Sequence, residues 1–406
     1  IKRLLNKIYK NMILQVKTNI YDINKIKILT IKPLIKGLLN LIITVIPFFS
    51  ITAQKPGSQR LLIGSYTGGA VADGIYYYQF NANGSSELIS KTAAADPSFL
   101  AIAANKPNIY AVNELGNGLG AVSAYQFDKV SGSFQLLNTV LSGGDHPCHI
   151  SIDSKNRFVF VSNYSGGNFS VMRIEADGSL SNAVQTIQHT GSSANKSRQD
   201  KPHVHSAFIS PDEKYLLVQD LGTDQISVYG LNLNNTRPVS QKPISVFNCN
   251  PGDGPRHISF HPTKPIVYAV QELTGSVTVL NFTKGTLRKL QQVNMFVKGD
   301  EKKSGAADIH VSPDGKFLYA SNRADFNDLA IFKIGQNGWL QWVGSEPTLG
   351  LAPRNFAIDP TGKFLLAANQ NSNEVVVFKR NLQTGKLTDT GKRIEVSKPV
   401  CLKFVD

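Results

Sequence analysis

Arg256 and Glu272 are equidistant from Lys264, inside the turn Pro262-Thr263-Lys264-Pro265. Residues equidistant from a hairpin turn face each other across the strand pair, so these two side chains are expected side by side. The same arithmetic sets His205 against Asp220 about Pro211-Asp212, and Ala307 against Arg323 about Asp314-Gly315. It also sets Arg354 against Asn369 or Gln370 about Thr361-Gly362, and Ser98 against Glu114. With His149 and Asp308 added, arginines, carboxylates and histidines gather at strand ends. Arginine grips a carboxylate or phosphate bidentately and stabilises charge developing on an acyl oxygen, while imidazole and carboxylate groups move protons. Opening a lactone with water needs an activated water, a donor for the tetrahedral oxyanion and an acid for the leaving ring oxygen. A single strand-end arginine or aspartate has a plainer use in a salt bridge between sheets. Convergence of many in one concavity is what marks a site.

Other chemistries are poorly served. His203 and His205 form an HxH pair, but no third clustered ligand accompanies them, so no metal is assigned and no cofactor is expected. There is no GxSxG elbow for a nucleophilic serine, and Gly64-Ser65-Tyr66-Thr67 falls inside a strand pattern. Cys148, Cys249 and Cys401 are odd in number and far apart, which rules out a disulfide framework and suits small buried residues.

The elements that must hold the candidates come from a phrase recurring every 46 to 57 positions. It reads PSFLAIAANKPNIYAVNE from Pro97, PCHISIDSKNRFVFVSNY from Pro147 and VHSAFISPDEKYLLVQDL from Val204. It returns as PRHISFHPTKPIVYAVQE from Pro255, AADIHVSPDGKFLYASNR from Ala306 and PRNFAIDPTGKFLLAANQ from Pro353. Each copy is an alternating strand, a turn and a denser β-branched or aromatic strand, followed by two further strand-like runs. A four-stranded unit at this period predicts a β-propeller blade. The seventh copy, PVCLKFVD from Pro399, stops before its second strand, which RLLIGSYT from Arg60 supplies. The expected fold is therefore all-β, a seven-bladed propeller closed by pairing the N- and C-terminal strands, which also removes open sheet edges. First strands line the channel of such a ring, so Glu114, His149, His205, Asp220, Arg256, Glu272, Asp308, Arg323, Arg354 and Gln370 should form a polar cup at one mouth. Gln188 to Lys201 and Lys298 to Gly305 exceed the needs of the repeat and read as surface loops; the first is placed to cover a site.

The formal net charge of +14 is unevenly spread. Residues 1 to 60 carry eleven Lys and Arg against one acid, Asp22, leaving 32 basic and 28 acidic residues elsewhere. That balance, without a basic stripe interleaved with aromatics, argues against a nucleic-acid partner. Lys32 and Lys36 precede an apolar run from Gly37 to Phe49, and Ser50-Ile51-Thr52-Ala53 offers small residues for a peptidase before Gln54. The run is too short to span a bilayer. Residues 1–53 are thus expected to be a removed leader with a signal peptide, and 54–406 one exported propeller, periplasmic or secreted, with no stable membrane anchor.

These phrases resemble the lactonase family of seven-bladed propellers, which includes the propeller-type 6-phosphogluconolactonases and the fungal carboxymuconate lactonising enzymes. The match runs over residues 61 to 406 and rests on HPCHIS at His146, HVHSAFISPD at His203, GPRHISFHP at Gly254, QEL at Gln271, AADIHVSPDG at Ala306, SNR at Ser321 and APRNFAID at Ala352. The resemblance implies metal-independent hydrolysis of a sugar lactone, with His205, Arg256, Glu272 and Arg323 as the catalytic set. His149, Asp308, Arg354 and Glu114 are expected to bind an anionic or polyhydroxylated substrate. In this scheme Glu272 and His205 activate water while Arg256 and Arg323 hold the acyl oxygen and an anionic group. Relatives usually read NEL where this chain has Gln271-Glu272-Leu273, which touches the hydrogen bond preceding the glutamate. A lactonising isomerase acting on a dicarboxylate would use the same cup, and a scaffold propeller would use none of it.

Overall fold

In the computed structural model, residues 57–297 and 303–405 are described; the expected leader lies outside them. They fold into seven four-stranded antiparallel sheets, each ordered from an inner strand to an outer one. The inner strands include Pro147–Ile152, Val204–Ile209, Pro255–Phe260, Ala306–Val311, Pro353–Ile358 and Pro399–Val405. Each inner strand touches the next in a closed cycle, so the sheets are the blades of a propeller.

Burial explains the sequence of each copy. Second strands such as Phe158–Asn163, Ile266–Gln271 and Phe364–Asn369 are buried at every position, because neighbouring blades cover both faces, and they read as apolar runs that end in a polar residue. Outer strands such as Phe134–Leu141 mix exposed and half-buried residues and bury none fully. Tyrosines in three second strands stitch adjoining blades: the hydroxyls of Tyr110, Tyr268 and Tyr319 donate to the carbonyls of Gly178, Gly338 and Gly385. Those glycines have φ of 90°, 83° and 74°, a left-handed turn conformation open to glycine without strain.

The closing blade joins the chain ends, with Gln59–Ser65 pairing to Pro399–Val405 from Arg60↔Val405 to Ser65↔Pro399. Val71–Phe80 and Ser86–Ala95 complete that sheet. Leu61, Ile63 and Phe80 pack there with Leu402 and Leu366 in one core cluster.

One local device re-aims side chains. In the blades beginning at Pro147, Val204, Pro255, Ala306 and Pro353, the inner strand's register shifts by one near its second residue. For example, Val204 pairs with Asp220 but Ser206 with Gln219, leaving His205 unpaired between them. Such a β-bulge turns the extra residue out of the regular alternation.

Candidate active site

At one mouth of the ring lies a cavity of about 670 Å³ lined by Tyr66, Glu114, Cys148, Tyr164, Arg198, His205, Glu272, Arg323, Arg354 and Gln370, among others. Two repeated positions build it. The bulged second residue of inner strands supplies Cys148, His205 and Arg354. The residue just after each second strand is Tyr66, Glu114, Tyr164, Leu221, Glu272, Arg323 or Gln370, and all but Leu221 line the cavity.

That second ring corrects one expectation. Asp220 is the last residue of its strand, not the one after it, and belongs with Ser65, Asn113, Asn163, Gln271, Asn322 and Asn369. These polar strand ends serve the scaffold. Asp220 Oδ1 accepts from the backbone N–H groups of His203, Gly222 and Thr223, and its Oδ2 lies 2.8 Å from His189 Nδ1. The amides of Asn113, Asn163 and Asn369 donate to the carbonyls of Ala95, Ser142 and Thr348. Gln271 is longer and donates to Thr278 Oγ1 at 3.0 Å rather than to a carbonyl; its Oε1, like Asn163 Oδ1 and Asn369 Oδ1, is buried without a partner. Gln271, where four other blades carry Asn, therefore makes a different contact one residue from Glu272.

Glu272 is the hub. Its Oε1 accepts from Arg198 Nη2 at 2.6 Å; its Oε2 accepts from Arg256 Nε at 3.0 Å and lies 3.2 Å from Arg323 Nη2. Burial alone would raise its pKa, but the charges of Arg323, Arg256 and Arg198 outweigh that and hold it at about 2. Burial, partly offset by Glu272, brings Arg323 down to about 10. Arg256 is itself almost fully buried and lies below the lining.

Across the cavity, the Tyr66 hydroxyl donates to Glu114 Oε2 at 2.8 Å. Arg354 lies 3.8 Å from Glu114 Oε1, with its guanidinium carbon 5.4 Å from the Tyr66 ring centroid. Burial raises the Tyr66 pKa, keeping the phenol protonated. His205 is held well below the usual histidine range by burial, then by Arg256 and His257, so its ring is neutral. The Cys148 thiol donates to the His205 carbonyl at 3.2 Å, and burial pushes its pKa up, away from thiolate chemistry.

His149 and Asp308, expected in the cup, lie one layer deeper. Each is the third residue of its inner strand, buried in the channel with Phe99 and His257 and outside the lining. The bulge turns the second residue, not the third, to the cavity. The structure thus brings together His205, Arg256, Glu272, Arg323, Arg354 and Glu114, and places His149 and Asp308 beneath them.

Sequence reasoning missed Tyr66, Tyr164 and Arg198. The first two were discoverable, since they occupy the position that gives Glu114 and Glu272 in other copies. Arg198 comes from the insert between Gln188 and Lys201, whose Gln199 is buried and donates to the Leu221 carbonyl at 2.9 Å. The insert is pinned at both ends, and Arg198 also donates to the Tyr164 hydroxyl at 3.1 Å. Among the described residues, no group of three or more His, Cys, Asp or Glu is arranged to hold a metal ion, and no helix is long and apolar enough to cross a membrane.

Residues 60–404 match the family described as lactonase, 7-bladed beta-propeller. The chain is 38% identical over 342 residues to a 6-phosphogluconolactonase of Formosa agariphila, covering 83% of this chain and 97% of that protein. It is 36% identical over 348 residues to a 6-phosphogluconolactonase of Bacillus subtilis, covering 84% and 97%. Among solved structures, the periplasmic gluconolactonase of Pseudomonas aeruginosa superposes with a TM-score of 0.81 at 36% identity, covering 86% of this chain and 99% of that one.

Proposed function

The chain belongs to the family of seven-bladed β-propeller lactonases, and from that premise we propose that its cup hydrolyses a sugar lactone to the open hydroxy acid. The observation that carries the reading is the charge arrangement of one cavity: a neutral His205 beside arginines fixed around an ionised Glu272. Water attacks the acyl carbon and passes a proton to His205, which is in the form able to accept it. Arg256 and Arg323 hold the oxygen on which negative charge grows. The ring C–O bond then breaks, and the leaving oxygen takes the proton back from His205 to become a hydroxyl, which restores the neutral ring. Glu272 has both oxygens engaged by arginines, so its part is to aim them rather than to take the proton.

The site also favours an anionic substrate. Arg198, Arg256, Arg323 and Arg354 bring four positive charges in and beneath the cup against the three negative ones of Glu114, Glu272 and Asp308, a surplus of one. That surplus suits a phosphorylated lactone, with Arg198, the most accessible of the four, and Arg354 as donors. Export is part of the same proposal. It rests on the Lys-flanked apolar run before Gln54 and predicts a mature N-terminus there on protein from the native cell.

The test is lactone opening followed with a pH indicator, comparing gluconolactone, its 6-phosphate and other sugar lactones. Faster acid release than in buffer is expected, with a lower KM for the phosphorylated lactone. No acceleration with any lactone overturns the reading, and equal KM values overturn the anionic preference.

A further inference from the structure

We propose that His257 is a positioning residue for Arg256, fixed by Asp308 in the tautomer that offers Arg256 a lone pair. The inference rests on the reading of the cup as a lactone-opening site. His257 and Asp308 are both buried in the channel beneath it. Asp308 Oδ1 lies 2.8 Å from His257 Nδ1, and Oδ2 takes His310 Nε2 at 2.9 Å and Asn355 Nδ2 at 2.5 Å. An ionised carboxylate can only accept hydrogen bonds, so His257 carries its proton on Nδ1. Burial, then the charge of Arg256, brings the His257 pKa down to about 4. The ring is neutral at neutral pH, and Nε2 presents a lone pair.

That lone pair faces Arg256 Nη1 at 3.5 Å. The other Nη1 hydrogen goes to the Ala307 carbonyl at 2.5 Å, and Nε goes to Glu272 at 3.0 Å. Three fixed acceptors thus set the plane of the guanidinium. Among the described residues, Nη2 is the one Arg256 side-chain nitrogen with no hydrogen bond to the protein, which leaves it for the substrate. The opposite tautomer would set N–H against N–H and turn the arginine. Outer partners that fix a histidine tautomer tune the groups they touch in this way. The rings of His149, His205, Phe99 and Phe208 pack around His257 and hold it in place.

The test combines ring-nitrogen NMR of ¹⁵N-histidine-labelled full chain with lactone kinetics. One neutral ring protonated on Nδ1 is expected, its signals absent in His257→Gln. Asp308→Asn should move that proton to Nε2 and lower kcat about 10- to 100-fold, by analogy with the loss of an outer partner from a metal-bound histidine. KM should change little, because Arg256 acts on charge that develops after binding. His257→Gln, whose amide can donate to Asp308 and accept from Arg256, should keep most of kcat, while His257→Leu should not. This pair decides the matter even if Asp308→Asn does not fold. An Nε2–H ring in the wild type, equal losses in the Gln and Leu variants, or wild-type kcat in all three overturns the proposal. A wild-type chain that opens no lactone instead overturns the functional reading, and the ring-nitrogen signals still judge the positioning.

Discussion

Glu272 shows how one buried carboxylate can organise a site without doing its proton transfer. Three guanidinium groups converge on it, and breaking such a buried cluster by removing one partner costs about 3–5 kcal/mol, because the remaining charges lose their counterion. Glu272→Gln keeps the shape and removes the charge, so it should lower both stability and kcat at pH 7. The pH dependence has a definite sign. The folded pKa of about 2 lies below the ordinary value for glutamate, so its stabilisation is fully present above the unfolded pKa and is lost as pH falls through about 2. Denaturant melts of wild type and Glu272→Gln should therefore differ at pH 7 and converge as pH falls from about 4 toward 2. Equal melting at pH 7 would show that the arginines do not depend on Glu272.

Between residue and ring, the insert shows what the repeat does not dictate. Asp220 receives three backbone N–H groups at the end of its strand and pairs with His189 at the start of the insert. Each buried donor left unsatisfied costs about 1–3 kcal/mol. Asp220→Ala should therefore free the insert and carry Arg198 away from Glu272. Hydrogen exchange should rise across residues 189–203, and KM for a phosphorylated lactone should rise more than for a neutral one. Unchanged exchange and KM would mean that the insert is held by other bonds. Why Asp220 read as a cup residue is instructive. Hairpin arithmetic finds which residues are near each other, and it brought Arg256 to Glu272 correctly. It cannot see a bulge, since the extra residue leaves no mark of its own in the apolar alternation. The one-residue shift exchanges the side chain facing the cavity for the one facing the scaffold, which is why Asp220, His149 and Asp308 fall outside the lining. Arg198 was illegible for a different reason: its place depends on long-range bonds of a segment with no periodicity.

At the scale of the whole molecule, the ring was legible because six full copies and a fragment leave few other ways to satisfy the last strand. Removing residues 399–406 would expose the edge of Gln59–Ser65 and uncover Leu61, Ile63 and Phe80. It would also take away the Leu402 N–H that donates to Asn355 Oδ1 at 2.7 Å, and Asn355 in turn donates to Asp308 beneath the cup. Truncation should therefore abolish cooperative unfolding and activity together, as read by thermal melts and acid release. Loss of mass alone is separated from loss of closure by circular permutation. The register puts Arg60 opposite Val405, so the two ends of the closing pair are neighbours and a short linker can join them. New ends opened in the exposed turn at Lys129–Ser131, between the outer strands Ala121–Phe127 and Phe134–Leu141, keep every strand pair. Exposed turns tolerate such cuts. The permuted chain should melt within a few degrees of the uncut one and retain its kcat, whereas the truncation should do neither. If the truncated chain still melts cooperatively at the same midpoint, strand closure between the termini is not what holds the ring.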